Sequence, residues 1–132
     1  DLWKFDGDNW TQLRDIANTN SDEDYDDDYA IARLGTVSFV IDGRGYIATG
    51  TRSGVTSDYW VYDPNEDLWH GDSDDDYTPL TNVHNVSSGG SSRAYAVSFS
   101  TGKRGFVLTG ASGTSYFDDV YELLPYEQED VD

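Results

Sequence analysis

The residues of this 132-residue sequence with the most evident chemistry are acids, gathered into two runs. One is Asp22-Glu23-Asp24-Tyr25-Asp26-Asp27-Asp28-Tyr29, the other Asp72-Ser73-Asp74-Asp75-Asp76-Tyr77. Hard cations take several oxygen ligands, so alternating carboxylates suit them. Asp22, Asp24, Asp26, Asp28, Asp72, Asp74 and Asp76 are therefore candidate calcium ligands. The EF-hand pattern is not met: its Gly position falls on Tyr77 and its terminal Glu position on Val83. Two other readings compete. The leading one is a solvated coat that keeps an aromatic-rich protein in solution. The other is a docking surface for a basic partner, whose approach the negative field would accelerate.

Cations are few and placed with some regularity. Arg33 and Arg93 each precede an apolar run. Their ordinary role is to anchor loops or to pair with acids of a neighbouring unit; a ligand role is the sharper alternative. Arg52 and Tyr116 stand in the Ser-, Thr- and Gly-rich stretches 51–57 and 111–116, and both are candidate ligand contacts. Arg44, Lys103 and Arg104 lie at turns and read as solvated charges. His70 and His84 lack partners at metal-site or triad spacing, so neither a zinc site nor a nucleophilic constellation emerges. Asn9-Trp10-Thr11 and Asn85-Val86-Ser87 fit the glycosylation acceptor pattern, a frequent chance match.

Composition narrows the field. With 26 acidic against 8 basic side chains the net charge is −18, which repels phosphate backbones and anionic membrane surfaces. Nucleic acid and membrane insertion are thus excluded as partners, and no apolar stretch reaches the length of a span or a signal-peptide core. The absence of cysteine removes disulfides and thiol chemistry. A hydrophobic fraction of 36% is low, but 4 Trp, 10 Tyr and 5 Phe are too many for a disordered acidic chain. The start at Asp1, without a methionine, leads us to expect a processed, trimmed or excerpted segment.

The elements that must hold these residues repeat. Arg33-Leu-Gly-Thr-Val-Ser-Phe-Val-Ile-Asp-Gly-Arg-Gly-Tyr-Ile-Ala-Thr-Gly50 aligns without a gap, 60 positions on, with Arg93-Ala-Tyr-Ala-Val-Ser-Phe-Ser-Thr-Gly-Lys-Arg-Gly-Phe-Val-Leu-Thr-Gly110. Downstream, 57–62 matches 117–122 with a one-residue slip. Asp1-Leu2-Trp3-Lys4-Phe5-Asp6 resembles Asp58-Tyr59-Trp60-Val61-Tyr62-Asp63, and Trp10 then answers to Trp69. Each full unit reads as short strands: 35–41 and 95–100, then 45–50 and 105–110, then 59–62 and 118–123, with Leu68-Trp69 as a fourth. Asp42-Gly43 and Thr101-Gly102 are the expected hairpin turns, and Asp63-Pro64-Asn65-Glu66 makes the next. No window has convincing helical periodicity. The chain is predicted to be all-β, built from antiparallel four-stranded sheets.

A repeat of this length and grammar resembles the kelch motif of β-propellers. The residues that carry the likeness are the Arg33 and Arg93 lead-ins, the apolar run ending in Gly, and Tyr62 with Trp69 seven positions on. Where the family ends its second strand with Gly-Gly, this chain has Thr49-Gly50 and Thr109-Gly110, so half of that signature is missing. The variant looks like the divergent kelch propellers of surface proteins in Bacteroidetes, which implies an extracellular or cell-surface location.

The resemblance implies that 1–132 forms part of one incomplete propeller. In that layout 1–14 is the outer two strands of one blade, 33–72 a complete blade, and 93–126 a second. The stretches 15–32 and 73–92 are then acidic inter-blade loops, and Leu123-Leu124-Pro125-Tyr126 adds a last outer strand. Trp3, Trp10, Trp60, Tyr62 and Trp69 would pack between blades. The loops carrying Arg52, Tyr116 and both acidic runs would emerge on one face.

A closed propeller needs about 4–8 blades, so the partners expected are the remaining blades of the same propeller, or other chains that complete the ring. The expected function is a non-enzymatic binding or assembly module engaging a protein or glycan, with no obligatory cofactor. The alternative is a segment of a sugar-processing, epimerase-like propeller enzyme. The copper-radical oxidases of the family rely on a Tyr–Cys crosslink, which a cysteine-free chain cannot form.

Overall fold

Period-two alternation needs one face of a strand to be buried and the other wet, and the structure is built on that rule. The computed structural model describes residues 1–13, 31–71, 83–84 and 92–123. An N-terminal hairpin pairs β1 (Trp3–Phe5) with β2 (Trp10–Gln12). The first repeat unit follows as β3 (Val37–Ile41), β4 (Arg44–Ala48), β5 (Tyr59–Asp63) and β6 (Leu68–Gly71). These pair in chain order as one antiparallel meander. Its front face carries Val37, Phe39, Ile41, Tyr46, Ala48, Tyr59 and Val61, all buried.

Next in the chain is β7 (Val83–His84), and then the second unit: β8 (Val97–Ser100), β9 (Gly105–Leu108), the small hairpin β10 (Ala111–Ser112) and β11 (Ser115–Tyr116), and β12 (Val120–Leu123). The sheet order is β7-β12-β9-β8. The fourth place, which β6 fills in the first unit, is filled here by β7, from within the 73–92 stretch that the sequence assigns to an inter-blade loop. The fold is all-β and antiparallel, as the sequence predicts, and no helix occurs among the described residues. The two four-stranded sheets do not close a ring.

The two units pack face to back. Val107 and Leu123 of the second join the buried cluster on the front of the first. Gly105 makes this possible: a Cβ there would lie 2.4 Å from Phe39 Cε2 and 3.1 Å from Ile41 Cδ1, so only the absence of a side chain admits the Phe39 ring. Backbone bonds lock the contact along the inner edges. Asp42 N donates to Gly102 O at 2.8 Å, Tyr95 N to Gly35 O at 2.8 Å, and Gly50 N to Arg93 O at 2.8 Å. Lys103 adds an ion pair with Asp42 at 3.3 Å.

Several expectations are corrected. Trp69 is buried and Trp60 and Tyr62 are half-buried, but Trp3 and Trp10 are exposed at 47% and 66%. Among the described residues their hairpin pairs only with itself, and no further strand joins it. Phe5 and Trp10 stack on each other instead, with centroids 4.8 Å apart. The second hairpin turn centres on Gly102 and Lys103, not on Thr101-Gly102: Thr101 N bonds to Arg104 O, and Gly102 has φ 87°. Arg44 is no ordinary solvated charge, because its Nε donates to Asp63 Oδ2 at 2.8 Å and Asp63 is buried.

Candidate functional site

Each second strand ends on a corner that the sequence spells Thr-Gly. Thr49 has φ 61° and Gly50 φ 101°, and the pair recurs as Thr109 at φ 58° and Gly110 at φ 98°. A β-branched residue in the left-handed region is strained, which accounts for the attraction of Gly to both positions. At Gly50 a Cβ would also approach Leu34 O to 2.8 Å, and at Gly110 one would approach Ala94 O to 2.9 Å. The corner turns the Thr carbonyl toward the Arg lead-in. Arg33 Nη1 donates to Thr49 O at 3.1 Å, and Arg93 Nη1 to Thr109 O at 2.7 Å.

The same guanidiniums then clamp the start of the third strand. Arg33 grips Asp58 with both terminal nitrogens, at 2.5 and 3.0 Å, and its Nε donates to Ile31 O at 3.1 Å. Arg93 grips Asp119 at the same two distances and lies between the rings of Phe117 and Tyr121, 4.5 and 4.7 Å from their centroids. The bidentate fork is the strong form of this contact. Burial would raise the Asp58 carboxyl, but the hydrogen bonds from Arg33 and Thr56 outweigh it and hold it below the usual carboxylate range. At Asp119 the Arg93 hydrogen bond is the leading influence and acts in the same direction. Both acids belong to the same unit as their arginine; of the two ordinary roles expected from the sequence, anchoring a loop is the one seen, and pairing with an acid of the neighbouring unit is not.

Beside the first clamp lies an open cavity of about 350 Å³, lined by Arg33, Arg52, Ser53, Gly54, Val55, Thr56 and Asp58. Its floor is fixed. Thr56 Oγ1 donates to Asp58 Oδ1 at 2.6 Å, Thr56 N to Gly50 O at 2.9 Å, and Leu34 and Thr51 exchange backbone bonds. Arg52 stands on the rim, exposed, with no side-chain hydrogen bond or ion pair among the described residues. The cavity therefore offers an available guanidinium, the Ser53 hydroxyl, and a carboxylate already held by Arg33 and Thr56.

No family model matches the chain, and no curated protein matches it. Of the four candidate contacts named from sequence, Arg33 and Arg52 meet in this cavity. Arg93 does not line it and is 2% exposed. Tyr116, on β11 of the second unit, is 86% exposed and also stands outside it. The candidate calcium ligands Asp22, Asp24, Asp26, Asp28, Asp72, Asp74 and Asp76 lie outside the described residues, and among those described no group of acids or histidines has the arrangement of a metal site. The residues that sequence reasoning missed are Asp58, Thr56 and Asp119. The available signal was the near-constant Arg-to-Asp spacing, 25 positions in one unit and 26 in the other.

Proposed function

We propose that the chain is a non-enzymatic binding and assembly module, a segment of a kelch-like β-propeller that engages a protein or glycan partner in an extracellular or cell-surface setting. The observation that carries this reading is the cavity with a pre-built wall and an available cation. Arg33 and Asp58 satisfy each other and hold the loop, while Arg52 is left to a ligand. A guanidinium flanked by a hydroxyl suits a sugar's oxygens or a peptide's carbonyl and carboxylate groups. The exposed Tyr116 ring offers a second contact of the amphipathic kind used in recognition.

The sugar-processing alternative needs an acid and a base converging on the substrate. Among the described residues Asp58 is the only titratable acid lining the cavity, and its environment favours the ionised form, with Arg33 and Thr56 occupying its oxygens. A carboxylate so held is a poor proton donor. Binding without chemistry fits these residues better.

The test is an array of neutral and uronate-bearing oligosaccharides beside one of random-sequence peptides. The wild-type chain is expected to be retained by members of one array, and Arg52→Ala is expected to lower that retention about tenfold, the size of one charge-assisted hydrogen bond. Lys4→Ala, in the N-terminal hairpin, should leave it unchanged. Retention that ignores Arg52, or no retention at all, overturns the proposal.

A further inference from the structure

The inner surface that joins the two units has a second, unfilled occurrence. On the front of the first unit Val37 and Phe39 are 4% and 7% exposed, because the back of the second unit covers them. Their counterparts on the front of the second unit, Val97 and Phe99, are 57% and 51% exposed, and Val120 beside them is 58% exposed. Nothing among the described residues covers this face.

We propose that it receives the back of the first unit of another copy of this chain, so that copies stack head to tail by repeating the contact already made within one chain. This proposal does not rest on the Arg52 cavity and can fail without it.

The back of the first unit is prepared for the role. In the internal contact Gly105 takes the Phe39 ring; among the described residues its counterpart Gly45 has only Tyr62 Cβ near its missing side chain, at 3.8 Å. A second copy's Phe99 would lie on Gly45 as Phe39 lies on Gly105. Ser38 and Val40 on the same face are exposed. The backbone repeats the same logic. Asp42 N and Gly50 N donate across the internal contact, whereas Gly110 N, the counterpart of Gly50 N, has no backbone acceptor among the described residues. One chain thus carries both halves of a single heterologous interface, which propagates when copies meet.

Two features weaken the copy relative to the original. Where Val61 lies opposite Tyr46 in the first unit, Glu122 lies opposite Phe106 in the second, ion-paired with Arg104. The apolar face is therefore interrupted on β12, where Val120 stays apolar but Glu122 does not. The net charge of −18 also opposes association at long range. Assembly should then be reversible, concentration-dependent and favoured by salt, which screens exposed charges beyond about 10 Å at 0.1 M.

Sedimentation velocity over a concentration series, at low and high sodium chloride, tests this. Wild type should show a mass rising above 14.7 kDa with concentration, and more steeply at high salt. Phe99→Asp blocks the open face, and Gly45→Leu blocks the back; each alone should stay at 14.7 kDa with an unchanged far-ultraviolet spectrum. Mixed one to one, they should form a species of two chains, because each retains the half that the other lacks. Val40→Glu serves in place of Gly45→Leu should the latter not fold. A wild type that remains at 14.7 kDa throughout, variants that associate on their own, or a mixture that stays monomeric would each overturn the proposal.

Discussion

Phe39 and Phe99 occupy the same place in two copies of one sequence pattern, and each stacks on the ring opposite it. Phe39 and Tyr46 lie 5.7 Å apart at 10°, Phe99 and Phe106 4.6 Å apart at 15°. Local geometry is therefore equal, yet one pair is core and the other is surface. What differs is the neighbour. A repeat unit of this kind has two faces and buries only the one that another unit covers, so the same residues are worth very different amounts of stability.

That contrast can be broken most directly at its centre. Phe39→Ala should lower unfolding stability by about 3–5 kcal/mol, the usual result of emptying a packed aromatic site. Phe99→Ala, measured by urea titration at a concentration where the chain is monomeric, should lie within about 0.5 kcal/mol of wild type. Comparable losses at the two positions would mean that the second front face is buried after all.

The Arg clamps sharpen the comparison from the other side, since they are alike in both units. Arg33→Met and Arg93→Met should each lose on the order of 2–3 kcal/mol, below the full penalty for breaking a buried pair because Asp58 and Asp119 keep about a third of their exposure. Both carboxyls are held below their ordinary value in the folded chain. Their contribution is thus complete above the unfolded carboxylate range, near pH 4, and is lost as the pH falls below it. An acid titration of stability should show that loss in wild type and a shallower one in either Met variant.

The smallest effect expected is a gain. Thr49→Gly relieves a strained φ and removes a buried hydroxyl that has no hydrogen-bond partner, against the added chain entropy of glycine. The net should be about 1 kcal/mol of stabilisation, read as a shift in the urea midpoint. Thr109→Gly, where the side chain is exposed, should gain less.

Much of this was written in the repeat. The gapless run from Arg33 to Gly50 set against Arg93 to Gly110 located four strands and both turns to within two residues, because alternation and turn chemistry are local properties. Sequence also placed Arg33 and Arg93 at equivalent sites. It could not show that their guanidiniums are engaged within their own units, since pairing with an acid 25 positions on depends on the corner that Thr49 makes. The place of Trp3 and Trp10 was misread for a related reason: burial needs a partner surface, and the hairpin that carries them has none among the described residues. Val83–His84 was missed because a two-residue strand has no period to detect.

That short strand has a consequence for the order in which the molecule is made. In the first unit the fourth strand arrives through a turn of four residues, as soon as its predecessor exists. In the second it is synthesised before any other strand of its sheet and waits until Glu122 emerges to pair with His84, 38 positions later. Closing the longer loop costs about 2 kcal/mol more in chain entropy. The outer edge of the second sheet therefore cannot be paired until the whole of that sheet has been synthesised, whereas the first unit can complete its sheet strand by strand.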